Sequence, residues 1–142
     1  FVVLSVATDL IGSWTRTASL QATGFWSLVG AALTAPLAVL AGYFDMNRAN
    51  LSAETDGLVH LHVITGWLVL GSITLLAAWR WWKFRRYNAE PQRLGILYSS
   101  AAVLVLALVG FQGWYGGEMV YAYGASVAPT GQGVEPADVA KR

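Results

Sequence analysis

The sequence predicts an all-α integral membrane protein, an up-and-down bundle of four transmembrane helices. Hydrophobic residues make up 56% of the 142 residues and charged residues only 12%, far below the charged fraction of a soluble domain. A hydrocarbon core about 30 Å thick requires roughly 20 apolar residues of helix, and three runs reach that length. Short linkers separate these runs, which favours antiparallel packing of consecutive helices.

The three full spans cover residues 24–44, 58–82 and 94–113. Residues 1–12 are apolar but too short to cross a bilayer alone. We interpret them as the second half of a truncated first helix that begins before Phe1. Pro36 lies inside the second span, where it can kink the helix if neighbouring groups satisfy the freed carbonyl. The helical domain is expected over residues 1–124, and residues 125–142, rich in small side chains, predict an extended tail.

The distribution of charge predicts the orientation of the bundle. The loop after the third span is basic and the loop before it is acidic. The basic loop contains Arg80, Lys83, Arg85, Arg86 and Arg93 against Glu90, and the acidic loop contains Arg48 against Asp45, Glu54 and Asp56. The positive-inside rule places the basic loop in the cytoplasm and both termini outside. The basic run also suits a patch for lipid headgroups or a partner protein.

Composition excludes several classes of function. A net charge of +1 gives no reason to expect nucleic-acid binding. The absence of cysteine excludes disulfides, thiolate metal sites and cysteine nucleophiles. Neither a nucleophile elbow, nor a His-Glu-x-x-His zinc motif, nor a phosphate-binding loop is present. Catalysis by this chain alone therefore has little support, and it is at most a subunit of an oxidoreductase.

Candidate functional residues gather at the predicted outer level of the membrane. They are Asp45, Met46, His60, His62, Trp114, Tyr115, Glu118, Met119, Tyr121 and Tyr123. His60 and His62 lie about 200° apart around a helix, so they cannot serve one site from the same side. His62 shares a stripe with Thr65 and Gly66, which makes it the inward candidate, and Gly66 leaves room for a flat cofactor. His60 is expected to face lipid headgroups or a neighbouring subunit.

Three roles fit His62. It is an interfacial histidine bonded to a carbonyl or water, an axial ligand to the iron of haem b, or part of a quinone or proton-relay site. Haem ligation requires a second ligand, for which the sequence offers Met46, Met119 or a residue before Phe1. Four-helix bundles commonly build cofactor sites from facing side chains.

Glu118 follows the pair Gly116-Gly117, which we interpret as a helix stop just beyond the fourth span. Two roles fit this carboxylate. It is a solvated surface group, paired for example with Arg48, or it handles protons together with Tyr115 or Tyr121. Asp45 and Trp114 complete the interfacial set.

Asp9 lies within the first apolar run, near the predicted cytoplasmic end. We expect it to pair with Arg16 or to accept a hydrogen bond from a neighbouring helix. Either arrangement gives it a structural role.

The stretch from Gly113 to Val127 resembles the closing signature of a bacterial membrane family called domain of unknown function 2231, roughly G-W-x-G-G-E-L-V-Y-x-x-G-x-x-V. Residues 41–45 resemble the family's G-x-x-D at the end of span two, and residues 6–10 resemble its A-D-L in span one. His62 falls where the family has a histidine opening span three, although His60 competes for that position. The resemblance covers nearly the whole chain.

The resemblance implies a four-span bacterial membrane protein. It also implies a His-Pro-x-x-His-Pro type segment before the first span, and a histidine from it is a candidate for the second haem ligand. Some members are joined to c-type cytochrome modules, which implies electron transfer.

The resulting functional hypothesis is a small integral subunit of a membrane redox assembly, with haem b or a quinone near His62. It would exchange electrons with a periplasmic carrier such as a c-type cytochrome. The alternative is a cofactor-free structural subunit that joins larger proteins.

Overall fold

The computed structural model describes residues 1–46, 53–86 and 94–121. These residues form four α-helices: α1 (Val2–Thr15), α2 (Ala18–Met46), α3 (Ala53–Arg86) and α4 (Ile96–Tyr121). Within the described ranges, α2, α4 and the Gly57–Arg86 part of α3 are long and apolar enough to cross a membrane, and α1 is a shorter apolar helix. The prediction of an all-helical membrane bundle is therefore confirmed.

Consecutive helices pack antiparallel, and α1 also packs against α4, which closes the bundle. Phe25 near the start of α2 stacks on Phe84 near the end of α3, with ring centroids 4.4 Å apart. The backbone amide of Leu94, just before α4, donates a hydrogen bond of 2.8 Å to Ser13 Oγ near the end of α1. These contacts show the up-and-down connectivity expected from short linkers.

The bundle has two ends, which we name by their residues. The basic end contains the turn between α1 and α2 and the last turn of α3, with Lys83, Arg85 and Arg86. The His62 end contains the end of α2, the start of α3 and the end of α4. Phe1 lies against Gly30 in the middle of α2, so α1 occupies the half of the bundle nearer the basic end.

A tight turn joins α1 to α2. Arg16 adopts a left-handed conformation (φ 56°), which ends α1, and the backbone amide of Thr17 donates to the carbonyl of Gly12 at 3.1 Å. The side-chain amide of Gln21 donates to the same carbonyl, also at 3.1 Å. The last turn of α1 is thus held against the first turn of α2.

The main hydrophobic core lies in the half of the bundle near the basic end, where all four helices meet. Its buried members are Val2, Val6, Leu28, Ala31, Ile73, Leu76, Leu94, Tyr98, Ala102 and Val105. Large apolar side chains such as Leu33, Leu75 and Leu104 are exposed on the outside of the helices. This inversion suits a bundle surrounded by lipid, since hydrocarbon solvates apolar side chains.

One predicted boundary is wrong. The pair Gly116-Gly117 does not stop a helix, because α4 continues through both glycines to Tyr121. Backbone groups at membrane depth require internal hydrogen bonds, so glycines that break helices in water remain helical there. α2 likewise runs through Pro36. The predicted tail, Tyr123 and the loop residues Arg48, Glu90 and Arg93 lie outside the described residues.

Gly24 marks the closest approach of α2 to α1, and it supplies a test of the packing. A Cβ atom at this position would lie 2.7 Å from Cγ of Asp9 and 3.1 Å from its backbone nitrogen. We expect Gly24→Ala to lower the free energy of unfolding by about 1–3 kcal/mol, the usual cost of overpacking. Thermal unfolding in mild detergent measures the effect. Gly42→Ala is the matched control, because a Cβ there meets nothing within 4 Å. Equal unfolding midpoints for the two variants would contradict this packing.

Candidate functional site

A buried ion pair at the basic end connects α1 with α3. Arg80 Nη2 lies 3.1 Å from Asp9 Oδ1, and the two side chains are only 9% and 2% exposed. The hydroxyl of Tyr98 in α4 donates a hydrogen bond of 2.9 Å to Asp9 Oδ2. Each carboxylate oxygen therefore has its own donor, which a charge buried in a medium of low dielectric constant requires.

Helix α2 completes this group, which we call the Asp9 cluster (Asp9, Arg80, Tyr98 with Gln21 and Gly24). Arg80 Nη2 also donates to the backbone carbonyl of Gln21 at 3.4 Å. Gly24 provides the space that the Asp9 carboxylate occupies. All four helices thus contact one buried charged group, an arrangement that holds the helices together.

Two alternative partners were expected for Asp9, and the structure shows one of them. Arg16 does not pair with it, because Arg16 lies in the left-handed turn after α1 has ended and is exposed. The expected hydrogen bond from a neighbouring helix is confirmed, with Tyr98 as its donor.

The Asp9 cluster predicts a strong coupling between two substitutions. Arg80→Met leaves the buried carboxylate without its cation, and we expect it to destabilise the bundle by about 3–5 kcal/mol. Adding Asp9→Asn removes the unpaired charge and should restore a large part of that loss. Unfolding in detergent measures both variants, with Arg85→Met as the exposed control on the same helix. A double variant as unstable as Arg80→Met would show that charge pairing is not what the cluster contributes.

A second polar group lies between α3 and α4 at the other end. We call it the His62 cluster (His62, Thr65, Gln112, Tyr115 and Gly116). The side-chain nitrogen of Gln112 donates to the backbone carbonyl of His62 at 2.9 Å and lies 3.1 Å from His62 Nε2. Thr65 Oγ1 lies 2.5 Å from Gln112 Oε1. The amide of Gln112 is therefore bonded through both its nitrogen and its oxygen.

These contacts define the hydrogen positions of the imidazole. A backbone carbonyl only accepts, so the Gln112 atom 2.9 Å from the His62 carbonyl must be the amide nitrogen. That nitrogen only donates, so His62 Nε2 receives its hydrogen bond and is unprotonated. The proton of the neutral ring then resides on Nδ1, which makes Nδ1–H a donor.

Two donors of this cluster have no acceptor. Within the described ranges, His62 Nδ1 and the Tyr115 hydroxyl are buried and make no hydrogen bond. Their rings stack with centroids 6.2 Å apart and planes at 19°. The ring of Phe111 also stacks on Tyr115, with centroids 5.7 Å apart. Unsatisfied buried polar atoms are uncommon in folded proteins, and two in one cluster point to a polar ligand or ordered water.

The remaining predicted residues separate into three groups. His60 is exposed, on the side of α3 away from His62. The space that Gly66 was expected to leave for a cofactor is taken by the Gln112 amide, whose nitrogen would lie 3.2 Å from a Cβ there. Met119 is buried in a small apolar cluster with Val59, packed against Met46 and Tyr115. The exposed group, to which His60 belongs, also contains Asp45, Trp114, Glu118 and Tyr121.

A family model described as a predicted membrane protein (DUF2231) matches residues 1–129. The chain belongs to this family. No curated protein and no solved structure matches the chain. The family match covers the whole of α1 to α4 and therefore both polar clusters of this DUF2231 protein.

The geometry around His62 does not fit haem ligation. An axial bond to iron uses a nitrogen lone pair, and the Nε2 lone pair already accepts the hydrogen bond from Gln112. The ring also lies directly on α4, since a Cβ at Gly116 would be 3.0 Å from its Cε1 atom. We therefore derive no role through haem iron from this arrangement.

Sequence reasoning missed three residues that the structure places in the clusters. Gln112 is the one amide in the fourth predicted span, and Tyr98 is a lone tyrosine near its start. Polar side chains within a span usually face the bundle interior, a signal that points to both. Arg80 was counted with the basic loop, because its charge fits the positive-inside pattern as well as it fits a buried ion pair.

The two adjacent glycines of α4 give a matched test of the His62 packing. A Cβ at Gly116 would press on the His62 ring, which Gln112 and Tyr115 hold in place, whereas a Cβ at Gly117 meets nothing within 4 Å. We expect Gly117→Ala to stabilise the helix by up to about 1 kcal/mol. Gly116→Ala should lose that gain and destabilise by about 1 kcal/mol or more. Thermal unfolding of both variants decides, and equal midpoints would contradict the close contact of His62 with α4.

Proposed function

We propose that this DUF2231 protein is a small subunit of a membrane redox assembly that binds a quinone at the His62 cluster. The observation that carries the proposal is the pair of unpartnered buried donors, His62 Nδ1–H and the Tyr115 hydroxyl. Both lie in a helical membrane protein, where a lipid-soluble ligand has direct access to the surface of the bundle.

The chemistry of a quinone matches this pair of donors. Its ring has carbonyl oxygens that accept hydrogen bonds and aromatic faces that stack on side-chain rings. The cluster offers two hydrogen-bond donors beside a stack of three rings, His62, Tyr115 and Phe111. Since both donor atoms are covered by neighbouring side chains, binding requires the Tyr115 side chain to rotate toward the ligand.

Each residue of the cluster has a separate task in the proposed site. Gln112 holds the imidazole in the tautomer that donates from Nδ1, and Thr65 holds Gln112. Tyr115 supplies the second donor. A bound quinone supplies reversible transfer of two electrons and two protons. Glu118, exposed and three residues after Tyr115, is positioned to exchange protons with water.

The proposed location is the bacterial inner membrane, with the His62 end at the periplasmic face. The support is the basic loop after α3, which the positive-inside rule assigns to the cytoplasm. The proposed electron partner is then a periplasmic carrier such as a c-type cytochrome.

Quinone binding can be measured on the full chain purified in mild detergent. We expect quinone to co-purify with the wild-type protein, detected by solvent extraction and chromatography, and a soluble short-chain quinone to bind with measurable affinity. Tyr115→Phe removes one donor and should weaken binding roughly five- to tenfold, the value of one hydrogen bond. His62→Gln should weaken it further, because it removes a ring and a fixed donor.

Two matched controls accompany these variants. Tyr121→Phe and His60→Gln make the same chemical changes at exposed positions of the same helices and should leave affinity unchanged. Equal losses in the controls, or no quinone binding by the wild-type protein, would reject the proposal and favour a cofactor-free structural subunit. A b-type α band in the reduced-minus-oxidised absorbance spectrum that disappears in His62→Ala would show that the ligand is haem and would reject the quinone proposal.

A further inference from the structure

Cations outnumber carboxylates at the basic end. Five cations lie between Arg80 and Arg93, with Glu90 as the one carboxylate among them. Asp9 neutralises Arg80 through the buried ion pair. The other described cations of this stretch, Lys83, Arg85 and Arg86, form no ion pair with a carboxylate of the described residues.

Aromatic rings hold some of these cations in fixed positions. The Lys83 ammonium lies 5.7 Å from the ring centroid of Trp79 and 6.0 Å from that of Tyr98. The Arg86 guanidinium lies 5.2 Å above the ring of Trp82. Such cation–π contacts restrict long side chains that would otherwise be mobile.

Lys83 shares the Tyr98 ring with a second cation. The Arg80 guanidinium is 5.8 Å from the centroid of that ring, and the Lys83 ammonium is 6.0 Å from it. The carboxylate of Asp9 balances only one of these two charges. An anion beside Lys83 would relieve the repulsion that remains.

The cations continue a stripe of α3 that is exposed at Leu75 and Trp82 and packs against the core at Trp79. Leu75, Trp79, Trp82 and Arg86 follow at intervals of four, three and four residues, so they share one side of the helix. Leu75 is 73% exposed and Trp82 54% exposed. Along the stripe the order is therefore aliphatic, aromatic and cationic, which matches the acyl chain, interface and headgroup levels of a bilayer leaflet.

We propose that the surface of α3 around Lys83 and Arg86 binds the phosphate headgroup of an anionic phospholipid, with an acyl chain along Leu75. A lipid fits better than a soluble anion, because the cations adjoin a surface that is exposed and apolar. The headgroup contributes the missing negative charge, and Trp79 and Trp82 lie at the level of its glycerol region. This site is at the opposite end of the bundle from the His62 cluster and does not depend on it.

The test compares lipids on the full chain in detergent, with the midpoint of thermal unfolding as the readout. Phosphatidylglycerol should raise the midpoint by several degrees, and phosphatidylcholine at equal concentration should raise it much less. In Lys83→Gln with Arg86→Gln, the affinity for phosphatidylglycerol should fall roughly thirtyfold, because each interfacial cation contributes about fivefold.

The control is the double variant Arg16→Gln with Arg85→Gln, which changes the net charge equally at exposed positions. It should keep most of the preference for phosphatidylglycerol. The proposal is overturned if phosphatidylcholine stabilises the wild-type protein as well, if inorganic phosphate replaces the lipid, or if the control loses as much affinity as the Lys83 and Arg86 variant. The wild-type comparison remains decisive even if a variant fails to fold.

Discussion

The ion pair between Asp9 and Arg80 is the constraint on which the rest of the bundle depends. These buried charges have no water to solvate them, so each requires an opposite charge or a hydrogen bond. Asp9 comes from α1, Arg80 from α3 and the hydroxyl of Tyr98 from α4, while α2 contributes a carbonyl and a glycine. Packing of apolar side chains alone gives weak preference for one helix register in lipid, because hydrocarbon solvates them equally well. The polar contacts specify the register.

The two ends of the bundle differ in how completely their polar groups are satisfied. In the Asp9 cluster both carboxylate oxygens have donors and the main core lies beside them, while Nε of Arg80 is buried without a hydrogen bond within the described residues. In the His62 cluster both the nitrogen and the oxygen of the Gln112 amide are hydrogen-bonded. The Nδ1–H group of the His62 imidazole, however, has no acceptor within the described residues. The first arrangement suits stability. The second suits the proposed quinone site, because a donor without an acceptor costs free energy until one binds.

The sequence was sufficient for the spans and for the inward side of α3, and insufficient for the partners of the polar residues. The hydropathy of a segment is the sum over its own residues, so apolar runs locate membrane helices without knowledge of the neighbouring helices. The spacing of His62, Thr65 and Gly66 indicated one face correctly, because helix periodicity is local. The pairing of Asp9 with Arg80 joins residues 71 positions apart and depends on which helices adjoin. The contact of Gln112 with His62 depends on the relative height of α3 and α4, which no local pattern records. The pair Gly116-Gly117 led to the wrong helix end, because the tendency of glycine to end a helix is known from soluble proteins.

The fixed tautomer of His62 connects the fold to the choice between cofactors. A histidine free to rotate would suit iron, quinone or water equally, and the sequence alone left these open. Gln112 removes that freedom, because its nitrogen is committed to the His62 carbonyl and can only donate to Nε2. A ring in this state offers a proton and no free lone pair, so its natural partner is an acceptor such as a carbonyl oxygen. Binding of a metal would first require the Gln112 amide to leave, which breaks its hydrogen bonds to His62 and Thr65 together. In the proposed site, the preference for a ligand that accepts hydrogen bonds therefore follows from one amide in α4, which is bonded to His62 and Thr65 of α3.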